Sequence, residues 1–400
     1  MHAWIRRIYV TTRAFTLTLK LSAILLALLT AHTAVAQLML SGNENKIELT
    51  SGTPQAASNP QPDSLSLIDF STFPPQVRHT PGISNTVIGP PSNLAILSGG
   101  RRALLADSLV MDSSATPDPW RPGTSMKWLD LTSNPIRVIT SFDAGKQPSG
   151  LSVDAAEKFA IVANRAAGSL SLIELAGDTP RTVQTLDVCA PELSISDVAI
   201  HPNGKLALAS VQKGGYLAIV NVSDGKLTLS DHKVSVYGQP YRVVTTPDGA
   251  LGLTAGQGFA QNGIDADALS IVDLQSTPAR TIGYVSIGAV PESIEISPDG
   301  QWVAAVLMAG SNYPPTDSRH AEKGELAILR RNGKSFEHAQ TLPTGRIPEG
   351  VAFTSDGRYL VVQAHPERQL WVYELQDGTW VDTTVRISVP GMPSSLRASR

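Results

Sequence analysis

Apolar side chains alternate with small or polar ones in a short segment that returns seven times along the chain. One copy reads Ser64-Leu65-Ser66-Leu67-Ile68-Asp69-Phe70 and another Ser169-Leu170-Ser171-Leu172-Ile173-Glu174-Leu175. The others occupy 125–131, 216–222, 268–274, 325–331 and 369–375, with steps of 44 to 61 residues. Alternation with branched residues between the apolar positions predicts strands buried on both faces. A second series runs in phase with the first: a proline, a short apolar strand and a tight turn. Pro240-Tyr241-Arg242-Val243-Val244-Thr245-Thr246-Pro247-Asp248-Gly249 is one copy, and 291–300 and 348–357 are two more. Related starts fall at Pro91, Pro148, Pro191 and Pro393. In Pro-Asp-Gly the proline presets φ, the aspartate caps the turn and the glycine accepts the positive φ that closes a hairpin. His201-Pro202-Asn203-Gly204 is the same turn, while Gly99-Gly100 and Ala156-Glu157 are degenerate versions.

Repeats of this length, each with room for four strands, predict an all-β, seven-bladed β-propeller. The two series are out of step at the ends. The copy at 64–70 has no proline-anchored strand before it, and the last anchored strand, 392–398, has no chain left to complete a blade. The C-terminal strand is therefore expected to pair with the N-terminal blade and close the ring, leaving no open edge. The repeat resembles the YVTN type found in seven-bladed propellers of the lactonase-like superfamily, over about residues 38–398. That resemblance implies the propeller fold, and for some members the handling of lactones. It maps no catalytic residues onto this chain.

Charge and composition narrow the picture. Arg6, Arg7, Arg13 and Lys20 precede an apolar run, 21–30, and then Ala34-Val35-Ala36. This order predicts a secretory signal peptide over 1–36, cleaved before Gln37, with the propeller over 37–400 and the protein periplasmic or secreted. Cleavage would move the formal charge from −3 to −7. Such acidity excludes a general attraction to nucleic acid or anionic membrane. Cys189 is the sole cysteine, so neither an internal disulfide nor a covalent haem is expected. A monomer is expected, with a small polar metabolite or an exported protein as partner.

The connections within blades locate a candidate site. Those at 165–168, 211–215 and 365–368 are short, whereas 43–63, 107–124, 256–267 and 308–324 are long. Long connections on one face of a rigid scaffold are often functional. They belong to blades 1, 2, 5 and 6, and predict two raised lips over the channel. Polar residues beside the proline anchors are expected to ring its mouth: Gln147, Glu192, Gln239, Arg242, Glu292 and Glu349. The within-blade connections add Asn164, Arg165, Gln257, Asn262, Asn312, Tyr313, His320, Glu322, His365, Glu367 and Arg368. Carboxylates, guanidinium and imidazole converging in a pocket suit either binding of a polar ligand or acid–base opening of a lactone, with Glu292, Glu349, His365 and Arg242 the candidate catalytic groups. A protein-binding face would instead show Trp120, Tyr313 and Pro314-Pro315 as exposed apolar lips. Asn262, Asp265 and Asp267 offer oxygens of the kind calcium takes, and no other cofactor is expected. The chain carries no Gly-Lys-Ser phosphate loop, Gly-x-Ser-x-Gly elbow or His-Glu-x-x-His motif.

Overall fold

The computed structural model describes residues 37–85, 88–116 and 118–400; the expected signal peptide lies outside them. Seven antiparallel four-stranded sheets follow one another along the chain. Six are built from consecutive strands, such as Pro148–Val153, Phe159–Asn164, Ser169–Glu174 and Arg181–Asp187. The first blade is composite. Its inner strand is Met392–Ala398, followed outward by Leu38–Glu44, Ser64–Asp69 and Gln76–Pro81. Met39 pairs with Ala398 and Ser41 with Leu396. The inner strands pack side by side in an unbroken cycle, and Met392–Ala398 touches both Pro348–Phe353 and Leu94–Leu97. The ring is closed as the split repeat predicts.

Each repeated segment sits where its chemistry requires. The 64–70 and 169–175 copies are the third strands of their blades, buried through Ser64–Asp69 and Ser169–Glu174 on both faces. Their serines are not mere packing. Asn43 donates to the hydroxyls of Ser64 and Ser66, at 3.2 and 2.9 Å. Asn164 does the same with Ser169 and Ser171, at 3.1 and 2.9 Å. Each asparagine ties the end of a second strand to the third. The turn glycines Gly204, Gly249, Gly300 and Gly357 all have φ near +70°. In each Pro-Asp-Gly turn the aspartate accepts from a hydroxyl two residues back and from the amide two residues on, as Asp248 does with Thr246 and Ala250. The degenerate turn at Glu157 instead hangs three amides, those of Ala156, Lys158 and Phe159, on Asp154.

Among the described residues, buried apolar side chains form seven clusters, one between each pair of neighbouring blades. The core is therefore a ring of seams. Leu396 joins Met39 and Ile68 to Val361 and Leu370 across the seam between blades 7 and 1.

Candidate functional site

All four long connections join the second and third strands of their blades, so they emerge at one end of the ring. They do not form two symmetric lips. The blade 2 insertion lengthens the strands into a hairpin, Arg102–Met111 with Trp120–Asp130, and takes no part in the cavity. The other three converge on Tyr313. A Cβ at Gly52, in the blade 1 connection, would lie 3.2 Å from the Tyr313 ring, and one at Gly263, in the blade 5 connection, 2.2 Å from its hydroxyl. Gly263 has φ +77°, a conformation that side chains other than glycine rarely adopt. The Arg319 guanidinium stacks 3.8 Å over the same ring and is held by Asp317 at 2.7 Å. Of the residues that a protein-binding face would expose, Trp120, Tyr313 and Pro314 are half-buried and Pro315 is exposed, while Phe259 and Ile264 of the blade 5 connection, 63 % and 62 % exposed, give this face apolar surface that the sequence did not single out.

Beneath this roof lies a cavity of about 510 Å³. Tyr241, Glu292 and Glu349 line its floor, and Gln257, Asn312, Tyr313 and Arg319 its wall. The floor residues share one position, the first after the anchoring proline in blades 5, 6 and 7. Glu292 accepts from the Tyr241 hydroxyl; burial lifts its carboxyl to about 8, with the nearby Arg165 charge and that hydrogen bond pulling back. Arg165 is itself fixed by Ser196 and Gln212, at 2.9 and 2.6 Å. Glu349 is 3 % exposed, and its Oε1 has no hydrogen-bond partner. Burial, then the charges of Glu292 and Glu44, hold it well above the usual carboxylate range. Glu44, which the sequence reading did not single out, is a third buried acid. Burial raises it, Lys46 opposes that, and Asp63 and Asp107 add to it.

Several expected site residues are elsewhere. Arg242 stands one position further along its strand than Glu292 and Glu349 do on theirs, and it is 3 % exposed below the cavity. It pairs with Asp197 at 2.9 Å and Glu295 at 2.7 Å, while Ser92 donates to the other Asp197 oxygen at 2.9 Å. Arg397 also pairs with Glu295. These groups come from blades 1, 2, 4, 5 and 6 and form a belt across the axis, in which Ser92, Asp197 and Arg242 are buried and Glu295 and Arg397 half-buried. A smaller cavity, about 320 Å³, lies on its far side among Glu295, Phe353, Arg397 and Arg400. Asp197→Ala is expected to cost about 3–5 kcal/mol, because it strips a buried guanidinium of one counter-charge. Urea unfolding followed by circular dichroism reads this directly; a loss below about 1 kcal/mol would show the belt to be dispensable.

Pro191 is not an anchor. It opens a 3-10 turn, Pro191–Leu193, ahead of the strand Ile195–Ile200, which leaves Glu192 exposed. His365 is fully buried between blade 7 and the closing strand, donates to the Pro393 carbonyl at 3.3 Å, and does not line the cavity. Burial lowers its imidazole to about 4, so it is neutral at physiological pH. His320 binds within its own connection, to the Tyr313 carbonyl at 2.7 Å and to Glu322 at 3.3 Å. Asn164 is the strand brace described above. Glu367 accepts from the Arg346 amide, Gln147 donates to the Ile88 carbonyl, Gln239 is buried in the Gln239–Thr245 strand, and Arg368 is exposed in a tight turn. Asp267 accepts from the Gly258 and Val290 amides at 2.7 and 2.8 Å, while Asp265 is exposed and held by Asn262. Among the described residues no three His, Cys, Asp or Glu side chains converge as a metal ion requires.

No protein-family model matches the sequence, and no curated protein matches it. Solved structures do. A putative 6-phosphogluconolactonase from Bacteroides fragilis superposes with TM-score 0.66 at 16% identity, over 92% of this chain and 99% of that one. One from Bacteroides uniformis gives 0.65 at 17%, over 90% and 98%. The periplasmic gluconolactonase of Pseudomonas aeruginosa gives 0.63 at 14%, over 90% and 99%. At such identities the likeness is one of fold: this chain is a seven-bladed propeller resembling those of the lactonase-like group.

Proposed function

We propose that the protein is a lactonase-like enzyme that opens a polar lactone in the cavity beneath Tyr313. One observation carries this reading: Glu292 lines a cavity of metabolite size with its carboxyl lifted to about 8, between a tyrosine hydroxyl and a guanidinium. A base tuned close to the working pH both accepts a proton readily and returns it. Binding of a small polar ligand is common to both expectations from the sequence, and the setting of Glu292 favours the catalytic one.

In this mechanism the Glu292 carboxylate takes a proton from water as the water oxygen attacks the lactone carbonyl carbon. The tetrahedral adduct collapses with cleavage of the ring C–O bond. The protonated Glu292 then returns its proton to the departing alkoxide, giving a hydroxy acid. Arg165 stands near Glu292 as a fixed positive charge, stabilising its ionised form and the developing oxyanion. With the leader expected from its sequence, the enzyme would work in the periplasm or outside the cell.

The test is acid release from a panel of sugar lactones, followed in a pH-stat. Because only ionised Glu292 acts as base, kcat/KM is expected to rise about tenfold per pH unit and to level off above about 8. No ring opening above the uncatalysed rate, or a flat profile through this range, would remove the proposal.

A further inference from the structure

The polar groups left without partners around the cavity describe what it holds. Glu349 Oε1 and Asn312 Oδ1, both on its lining, are buried acceptors with no hydrogen-bond partner. Glu44 Oε2, behind Glu349, is a third. Orphaned buried acceptors are costly and are normally satisfied by donors. The protein does not supply those donors. The cavity's guanidinium, Arg319, is held by both oxygens of Asp317, and Arg165 by Ser196 and Gln212. The roof guanidinium is thus neutralised by Asp317, while Arg165 keeps its charge toward Glu292; the free capacity around Glu349 and Asn312 is for a ligand that donates.

We infer that the cavity recognises a ligand carrying an ammonium group, held by Glu349 and Asn312, in preference to a phosphorylated or carboxylated one. The inference rests on the proposed function, since the ligand is taken to be the lactone's sugar-like body. An ammonium brings three donors and a charge that favours the ionised forms of Glu292 and Glu349. A neutral hydroxyl offers one donor and no charge. A phosphate brings only acceptors at neutral pH and would offer no donor to the unpartnered oxygens of Glu349 and Asn312. Burial raises the titration of both floor acids, and a bound cation would draw it back down.

Binding of glucosamine, glucose and glucose 6-phosphate to the purified protein, by isothermal titration calorimetry at pH 7 and low salt, tests this. Glucosamine is expected to bind at least tenfold more tightly than glucose, and glucose 6-phosphate more weakly than glucose. Glu349→Gln is expected to erase the glucosamine margin, whereas Glu322→Gln, an exposed acid of the connection that carries Asn312, should keep it. Tighter binding of glucose 6-phosphate than of glucosamine, equal binding of glucosamine and glucose, or an amine margin that survives Glu349→Gln would each overturn the inference. Those outcomes leave lactone opening intact if the pH-stat assay shows it. Failure of all three sugars to bind overturns the inference, and the pH-stat result then decides separately whether the reading beneath it survives.

Discussion

A chain ended at Pro390 is expected not to fold. The deletion removes the inner strand of the first blade, Met392–Ala398, and with it the ladder from Met39↔Ala398 to Glu44↔Met392. Leu396, 1 % exposed, leaves the seam it shares with Met39 and Val361. Gln363 loses the Ser395 carbonyl it binds at 2.8 Å. A buried leucine is worth about 2–5 kcal/mol, and each ladder bond about 1 kcal/mol. Together these reach on the order of 10 kcal/mol, comparable with the whole stability of a domain. The second strand of blade 1 would also become an open edge prone to pairing with other chains. Size-exclusion chromatography and thermal melting are the measurements. A monodisperse truncated protein melting within a few degrees of the intact one would show that the ring does not depend on its closing strand.

Glu292→Gln is expected to lower the proposed lactone opening by about 10²–10⁴-fold, the usual contribution of a general base. It should also raise stability in alkaline solution. The folded carboxyl titrates near 8 rather than 4.5, so the folded state holds its proton more tightly than the unfolded chain. That contribution is complete below about pH 4.5 and disappears as pH rises through about 8. Glutamine carries no such penalty. At pH 9 the variant should exceed the wild type by about 2–4 kcal/mol, after allowing for the access of Glu292 to solvent in the cavity, and near pH 4 the two should coincide. Urea melts at the two pH values read the effect. Equal stability at pH 9, or undiminished turnover, would mean that Glu292 is an ordinary solvated acid.

The ring was legible because its grammar is local. Thr246-Pro247-Asp248-Gly249 and its relatives fix turns through their own φ angles and hydroxyl bonds, and the alternating third strands need burial on both faces wherever they occur. The mismatch between 64–70 and 392–398 then gave away the closure. The floor of the cavity was partly legible, since Glu292 and Glu349 follow anchoring prolines, and Tyr241 holds the same position after Pro240. What could not be read depends on neighbours distant in sequence. Arg242 lies one step off the floor position, and its place in the belt is set by Asp197 and Glu295 of other blades. Glu192 misled because a 3-10 turn separates Pro191 from its strand. Glu44 follows Asn43 as Arg165 follows Asn164, but its burial beside Lys46 and Asp63 comes from packing that its strand alone does not reveal. In blade 2, Pro122 and Gly123 disguised residues that prolong a strand ladder, with Leu109 opposite Pro122 and Met111 opposite Trp120.

The belt through Ser92, Asp197 and Arg242 also governs traffic. Ser92, Asp197 and Arg242 are all but out of reach of water, so no solvent path runs along their side chains. On the proposed function, a molecule admitted under Tyr313 is expected to leave on the side it entered, before a successor can enter. Slow departure would therefore throttle turnover, and a long polymer could offer only its tip, never be threaded through.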